Sequence, residues 1–138
     1  MQLTENQFAF VAALRSKKHT PVQLQQKFNS VPDAEKFHAI LSVFTESNVY
    51  ADQQSAGKLL VDYKPQCDDS LTEILTSIAP TWNLSVEELP FYLSDVFGAQ
   101  VVATSAIMLS EEMAENSTER KALETVAWWL KRRVKNGG

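Results

Sequence analysis

Two histidines and one cysteine leave this sequence little for triad chemistry or for a metal site built on imidazole and thiolate. Glu35 and His38 stand at i, i+3, the spacing used by di-iron centres in helical bundles. Such a centre needs a second Glu-x-x-His and two more glutamates. The other histidine, His19, has Ser16 three residues before it, so the second half fails and His38 reads as a structural residue. Cys67 is followed by Asp68 and Asp69, whose charge raises the thiol pKa and blunts a nucleophile. The doublets Asp68-Asp69, Glu87-Glu88 and Glu111-Glu112 diverge on a helix and cannot chelate together. Glu111 and Glu115, or Glu112 and Glu115, share a face, which is at best a weak cation site. Four glycines leave no phosphate loop, dinucleotide fingerprint or nucleophile elbow. The expectation is a protein without catalysis, cofactor or metal.

What remains is surface chemistry. From Pro65 to Glu119 there is no lysine or arginine, while the same 55 residues hold ten acids. Residues 120–138 reverse the balance, with six bases against Glu124, a net of +5, in a chain of net charge -4. Asymmetry of this kind concerns partners and association rather than fold. Read as a binding surface, Glu87, Glu88, Phe91, Asp95, Glu111, Glu112 and Glu115 form an acidic patch with one aromatic, suited to a basic protein. Read as internal compensation, the basic C-terminal helix lies across the acidic helices. Several acids also have local work, because Asp69, Glu73, Glu87, Glu88 and Glu119 fall near helix starts, where carboxylates complement the backbone dipole.

Two aromatics fall off their core stripes. Leu123, Val126, Ala127, Leu130 and Val134 share one side of the last helix, with Trp129 at the stripe's edge. Trp128 points the other way, among Lys121, Glu124, Lys131, Arg132 and Lys135, whose bases form with it a basic-aromatic patch that could stack on a nucleobase or anchor an interface. A cation–π contact or a neighbouring helix would cover it instead. Phe91 lies opposite Leu89, Leu93 and Val96, either exposed in an acidic rim or plugged into a neighbour.

The elements that must position these residues are helices. With 138 residues, 44% of them hydrophobic, the chain suits a single globular domain, residues 1–138. Apolar residues recur at helical spacing nearly throughout, with no strand pattern. Thr4 with Gln7, Ser70 with Glu73, and Ser85 with Glu88 are capping boxes, and Thr20-Pro21 is an N-cap followed by proline at the first helical position. Pro32 opens a further helix bearing Phe37, Ile40, Leu41 and Phe44, and Asp52 to Tyr63 forms another. Ala99 to Glu115 reads as a helix apolar on two faces, and therefore central. Thr118 to Asn136 reads as one long helix. The fold class is all-α, a compact multi-helical bundle of about seven helices.

Shifting the sequence by 34 places Phe37, Ile40, Leu41 and Phe44 over Leu71, Ile74, Leu75 and Ile78. Successive αα-hairpins would produce this echo, as would any two amphipathic helix pairs with matched stripes. The motif residues of the tetratricopeptide repeat, which shares the period, are missing. No basic segment precedes an apolar run at the N-terminus, and Phe97 to Ser110 is too short and polar to span a bilayer. A cytoplasmic protein with no membrane partner is expected.

The leading functional expectation is a non-catalytic helical module presenting its acidic surface to a basic protein. The alternative is nucleic-acid binding through the basic C-terminal helix. Thr20 to Leu41 also admits a helix-turn-helix reading, although its second helix offers only Lys36 and His38 beside Glu35. A homo-oligomer is the third reading.

Overall fold

Side-chain caps open the first, second and fifth helices, whereas the third and fourth start without one. The computed structural model describes residues 2–137. Thr4 accepts from Gln7 N while the Gln7 side chain accepts from Thr4 N, and this box opens α1 (Glu5–Ser16). Thr20 and Gln23 repeat the arrangement ahead of α2 (Pro21–Asn29), with Pro21 in the first turn. Pro32 precedes α3 (Asp33–Glu46), and α4 spans Tyr50–Tyr63. Ser70 accepts from Glu73 N at the start of α5 (Leu71–Ile78). Next come α6 (Glu88–Phe97), α7 (Ala99–Glu111), α8 (Thr118–Trp129) and α9 (Lys131–Lys135). The described residues are 71% helical, with nine helices and no strand, an all-α fold.

Three expectations need correction. The Ser85–Glu88 box does not form. Ser85 N donates to Asn83 Oδ1, Trp82 Nε1 donates to Val86 O, and α6 starts only at Glu88 without a side-chain cap. The last helix breaks at Leu130 (φ -92°, ψ 0°), whose N–H donates to Ala127 O and Trp128 O, so α8 and α9 are separate. This break adds one element to the eight helices that the sequence delimits, which brings the count among the described residues to nine rather than about seven. Finally, α7 stops at Glu111 and buries one face only, through Ala99, Val102, Ala106 and Ser110. Val101, Ile107 and Met108 stay exposed at 52%, 40% and 63%.

One core runs through the chain. Phe10, Phe28 and Phe44 from the first three helices join Leu60, Ile74, Leu75 and Ile78, then Leu89, Tyr92, Leu93 and Leu123, all fully buried. α3 packs on α1 and α4, α4 on α6, and α7 on α8, α6, α5 and α9. Because α5 leans chiefly on α7 and α3, the 34-residue echo does not become two equivalent hairpins. α6 and α7 meet at 115° through Gly98, whose φ of +94° is costly for a residue with a Cβ. No single helix among the described residues is long and apolar enough to cross a membrane.

Polar side chains tie the connections. Gln53 is fully buried, donates to Ser47 O at 2.7 Å and Thr81 O at 2.9 Å, and accepts from Asn83 N at 2.7 Å. Thr81 Oγ1 in turn donates to Phe44 O at 2.6 Å. Gln7, also buried, donates to Glu35 O at 2.9 Å and joins α1 to α3.

Candidate functional site

Residues from both expected patches meet in one notch. Glu87 and Phe91 at the start of α6, Trp128 and Trp129 at the end of α8, and Lys131, Arg132 and Arg133 of α9 line a concavity of about 440 Å³. That volume falls within the range of small-ligand sites, roughly 300–1,000 Å³. α9 packs on α7 and α8, and reaches α6 through the Arg133 side chain.

The notch is rigid on one side and open on the other. Trp129 is half-buried and its Nε1 donates to Leu84 O at 2.9 Å. Its ring meets Phe91 edge-on at 6.3 Å and Trp128 edge-on at 4.9 Å. Arg133 lies over the Phe91 ring, 4.4 Å from its centroid, and bonds Phe91 O, Ser94 Oγ and Asp95 Oδ1 at 3.0–3.2 Å. Phe91 and Arg133 therefore satisfy each other. Trp128, 59% exposed, carries no cation over its ring among the described residues, and Lys131 and Arg132 are exposed and make no ion pair there. Arg133 was outside the basic-aromatic patch read from the sequence. Only the contact with α6, some forty residues away in the chain, identifies it.

The other named residues scatter. Lys121 lies beside Glu115, Arg120 and Glu124 in a separate polar depression, and Lys135 lines neither hollow. Glu88 faces α4, where its Oε2 accepts from Gln54 Nε2 at 2.7 Å and its Oε1 is buried without a partner. Asp95 is held by Arg133 at 3.0 Å and Lys64 at 3.6 Å. Among the described residues, the ion pair between the acidic block and the basic C-terminus is that of Asp95 with Arg133. Glu111, Glu112 and Glu115 are exposed at and beyond the end of α7, and make no ion pair among the described residues.

Beyond the notch, His38 Nε2 lies 2.9 Å from both Asp69 oxygens, in a second hollow between α3 and α5 that also exposes Ser42, Glu46 and Glu73. A separation of 31 residues hides this pair from any local motif. Ser42 Oγ donates to Ala39 O rather than to the imidazole, so no nucleophile–base relay is assembled. Lys36 bonds Asp33 and His38 bonds Asp69, so both bases of the second helix in the helix-turn-helix reading have acidic partners. Glu35 accepts from Thr4 Oγ1. Among the described residues no three His, Cys, Asp or Glu side chains are grouped to hold a metal ion. Burial pushes the Cys67 thiol up, and the charges of Asp69 and Asp68 add to this against an opposing backbone hydrogen bond at Asp69. Comparisons with protein-family models, with curated proteins and with solved structures find no match for this chain.

Proposed function

We propose that this protein is a non-catalytic helical interaction module whose recognition surface is the outer face of α7, and that its partner presents a basic amphipathic helix. The observation that carries this reading is the exposure of Val101, Ile107 and Met108 at 52%, 40% and 63% on one side of α7. Thr104 lies between them and Glu111 and Glu112 continue the face by one turn, all exposed. Contiguous exposed apolar surface with a charged border is characteristic of protein contact sites. Residues 101, 104, 108 and 111 recur at the 3–4 spacing that a second helix reads along its length. Arg120 and Lys121 stand beside Glu115, but Glu111 and Glu112 make no ion pair among the described residues, so the complementary partner carries lysine or arginine against those two. Glu88 and Asp95 have internal partners, which moves the acidic contribution from the start of α6 to Glu111, Glu112 and Glu115.

The test is a titration with a designed leucine–lysine amphipathic helical peptide, followed by backbone NMR shifts. Shifts should concentrate on residues 100–112. Met108→Asp should abolish them, and Glu111→Gln with Glu112→Gln should weaken binding and flatten its salt dependence. Shifts spread over other helices, or binding untouched by Met108→Asp, would sink the reading. Self-association that Met108→Asp abolishes would replace it with a homo-oligomer.

A further inference from the structure

We infer that the notch between α6, α8 and α9 is a binding site for single-stranded nucleic acid, taking one base on Trp128 and its flanking phosphates on Lys131 and Arg132. This inference stands apart from the reading of α7, and shares no residue with it. Three observations carry it. First, Trp128 is a large apolar side chain left 59% exposed beside a hollow of about 440 Å³, and Trp129 meets it at 73° with centroids 4.9 Å apart, so the two indoles are not stacked in parallel and Trp129 covers at most one face of Trp128. An aromatic face beside cations is the common device for binding single strands, because every base has a π-face.

Second, the cations divide their work. Arg133 is committed to Asp95, Ser94 and Phe91, which fixes α9 against α6. Lys131 and Arg132, next to it on the same rim, are exposed without an ion pair among the described residues. They are left to meet an anion, in a segment whose residues 120–138 carry a net +5 despite the chain's overall -4.

Third, Glu87 lines the same notch. A carboxylate in the lining repels an acidic side chain that enters the hollow, whereas the amino and imino N–H groups of a base can donate to it. An anion at the rim with a planar hydrogen-bond donor in the hollow describes a nucleotide unit better than an aspartate-rich peptide. Duplex DNA is disfavoured, because its bases are already stacked and the notch is a single hollow rather than a groove-reading helix.

The experiment is fluorescence anisotropy of a labelled short oligothymidylate at low salt, with full-length protein. Binding should weaken with salt along a slope of about -1.4, the value for two phosphates released from a single strand. Trp128→Ala should weaken it about tenfold or more, and Trp128→Phe should retain most of it. Lys131→Ala or Arg132→Ala should roughly halve the slope. Circular dichroism on each variant separates lost binding from lost fold, since all three side chains are exposed. No binding at low salt, or affinity indifferent to Trp128→Ala in a folded variant, would overturn the inference. So would equal affinity for the mononucleotide, which would make the ligand a free nucleotide, or tighter binding of an acidic peptide of matched length. Met108→Asp should leave oligothymidylate binding intact, so failure here and failure of the α7 reading are distinguishable.

Discussion

The Arg133 guanidinium sits 4.4 Å from the centroid of the Phe91 ring and 3.0 Å from Asp95 Oδ1, so one side chain both covers an aromatic and neutralises an acid. The same Nη1 also donates to Phe91 O and Ser94 Oγ, at 3.2 Å each. α9 has only five residues, too few to persist without tertiary contacts, and Arg133 is its principal polar tie to α6.

Arg133→Ala should therefore destabilise the fold by about 1–2 kcal/mol. The pair is partly exposed and screened, which holds its ionic contribution low, while the aromatic contact adds roughly 0.5–1 kcal/mol. Arg133→Lys should recover little, because a single ammonium cannot span the ring, the carbonyl and the carboxylate together. Urea unfolding would measure both. A loss below 0.3 kcal/mol would mean that α9 is held by Leu130 and Val134 alone.

Gln53 and Thr81 mark a second junction. The Gln53 amide pairs with three backbone groups of the turns after α3 and α5, one of which, Thr81 O, also accepts from Asn48 Nδ2, and all its bonds are between 2.7 and 2.9 Å. Gln53→Leu keeps the volume but strips this partner from Ser47 O and Asn83 N, while Thr81 O keeps Asn48 Nδ2 at 2.9 Å. The expected cost is roughly 2 kcal/mol, from two unsatisfied groups at about 1–3 kcal/mol each with some rescue by water. Amide exchange should accelerate locally in residues 47–50 and 81–84. Near-neutral stability would show that the connections are hydrated.

The contrast between these junctions and the caps explains how much could be read in advance. Thr4, Thr20 and Ser70 cap their own helices within three residues, and local chemistry decides them. Ser85 carries the same signature, but Asn83 captures its N–H and Trp82 pins the segment, a competition that needs the folded neighbourhood. Helical periodicity correctly places Leu123, Val126 and Leu130 in the core and Trp128 outside it. It cannot say whether an apolar face meets a neighbour, which is why α7, apolar on two sides, keeps Val101, Ile107 and Met108 in solvent. The break at Leu130 involves neither glycine nor proline, so nothing in the residue types announces it. The notch shares that origin: its two halves are separated by about forty residues and joined only by packing.

Tyr92 predicts a pH dependence. It is fully buried, its hydroxyl donates to Pro65 O, and burial, with a smaller contribution from Cys67, holds its phenol well above the usual tyrosine range. A raised folded pKa means the associated stability is complete below the unfolded value near pH 10 and declines as pH rises beyond it. The urea midpoint should fall above about pH 10, and Tyr92→Phe should fall less steeply. At neutral pH the same variant should lose about 1–2 kcal/mol, since Pro65 O loses its donor. Parallel alkaline profiles for the two proteins would assign the decline to other groups.

Gly57 sets two effects against each other. It lies inside α4, where alanine would ordinarily gain about 1 kcal/mol in helix propensity. A Cβ at this position, however, would stand 2.9 Å from Glu88 Cβ and 3.2 Å from Val86 Cγ1. Glu88 Cβ is tied directly to its backbone, so the contact cannot be relieved by rotating a flexible tip, and α6 itself must move. Overpacking of this kind costs about 1–3 kcal/mol, which outweighs the propensity gain and makes Gly57→Ala destabilising by roughly 1 kcal/mol. The displacement should also loosen the Gln54–Glu88 bond, because both partners flank the contact. Thermal unfolding would give the sign directly. A stabilised Gly57→Ala would mean that α4 and α6 are farther apart in solution, and that Glu88 is freer to meet a partner than its packing implies.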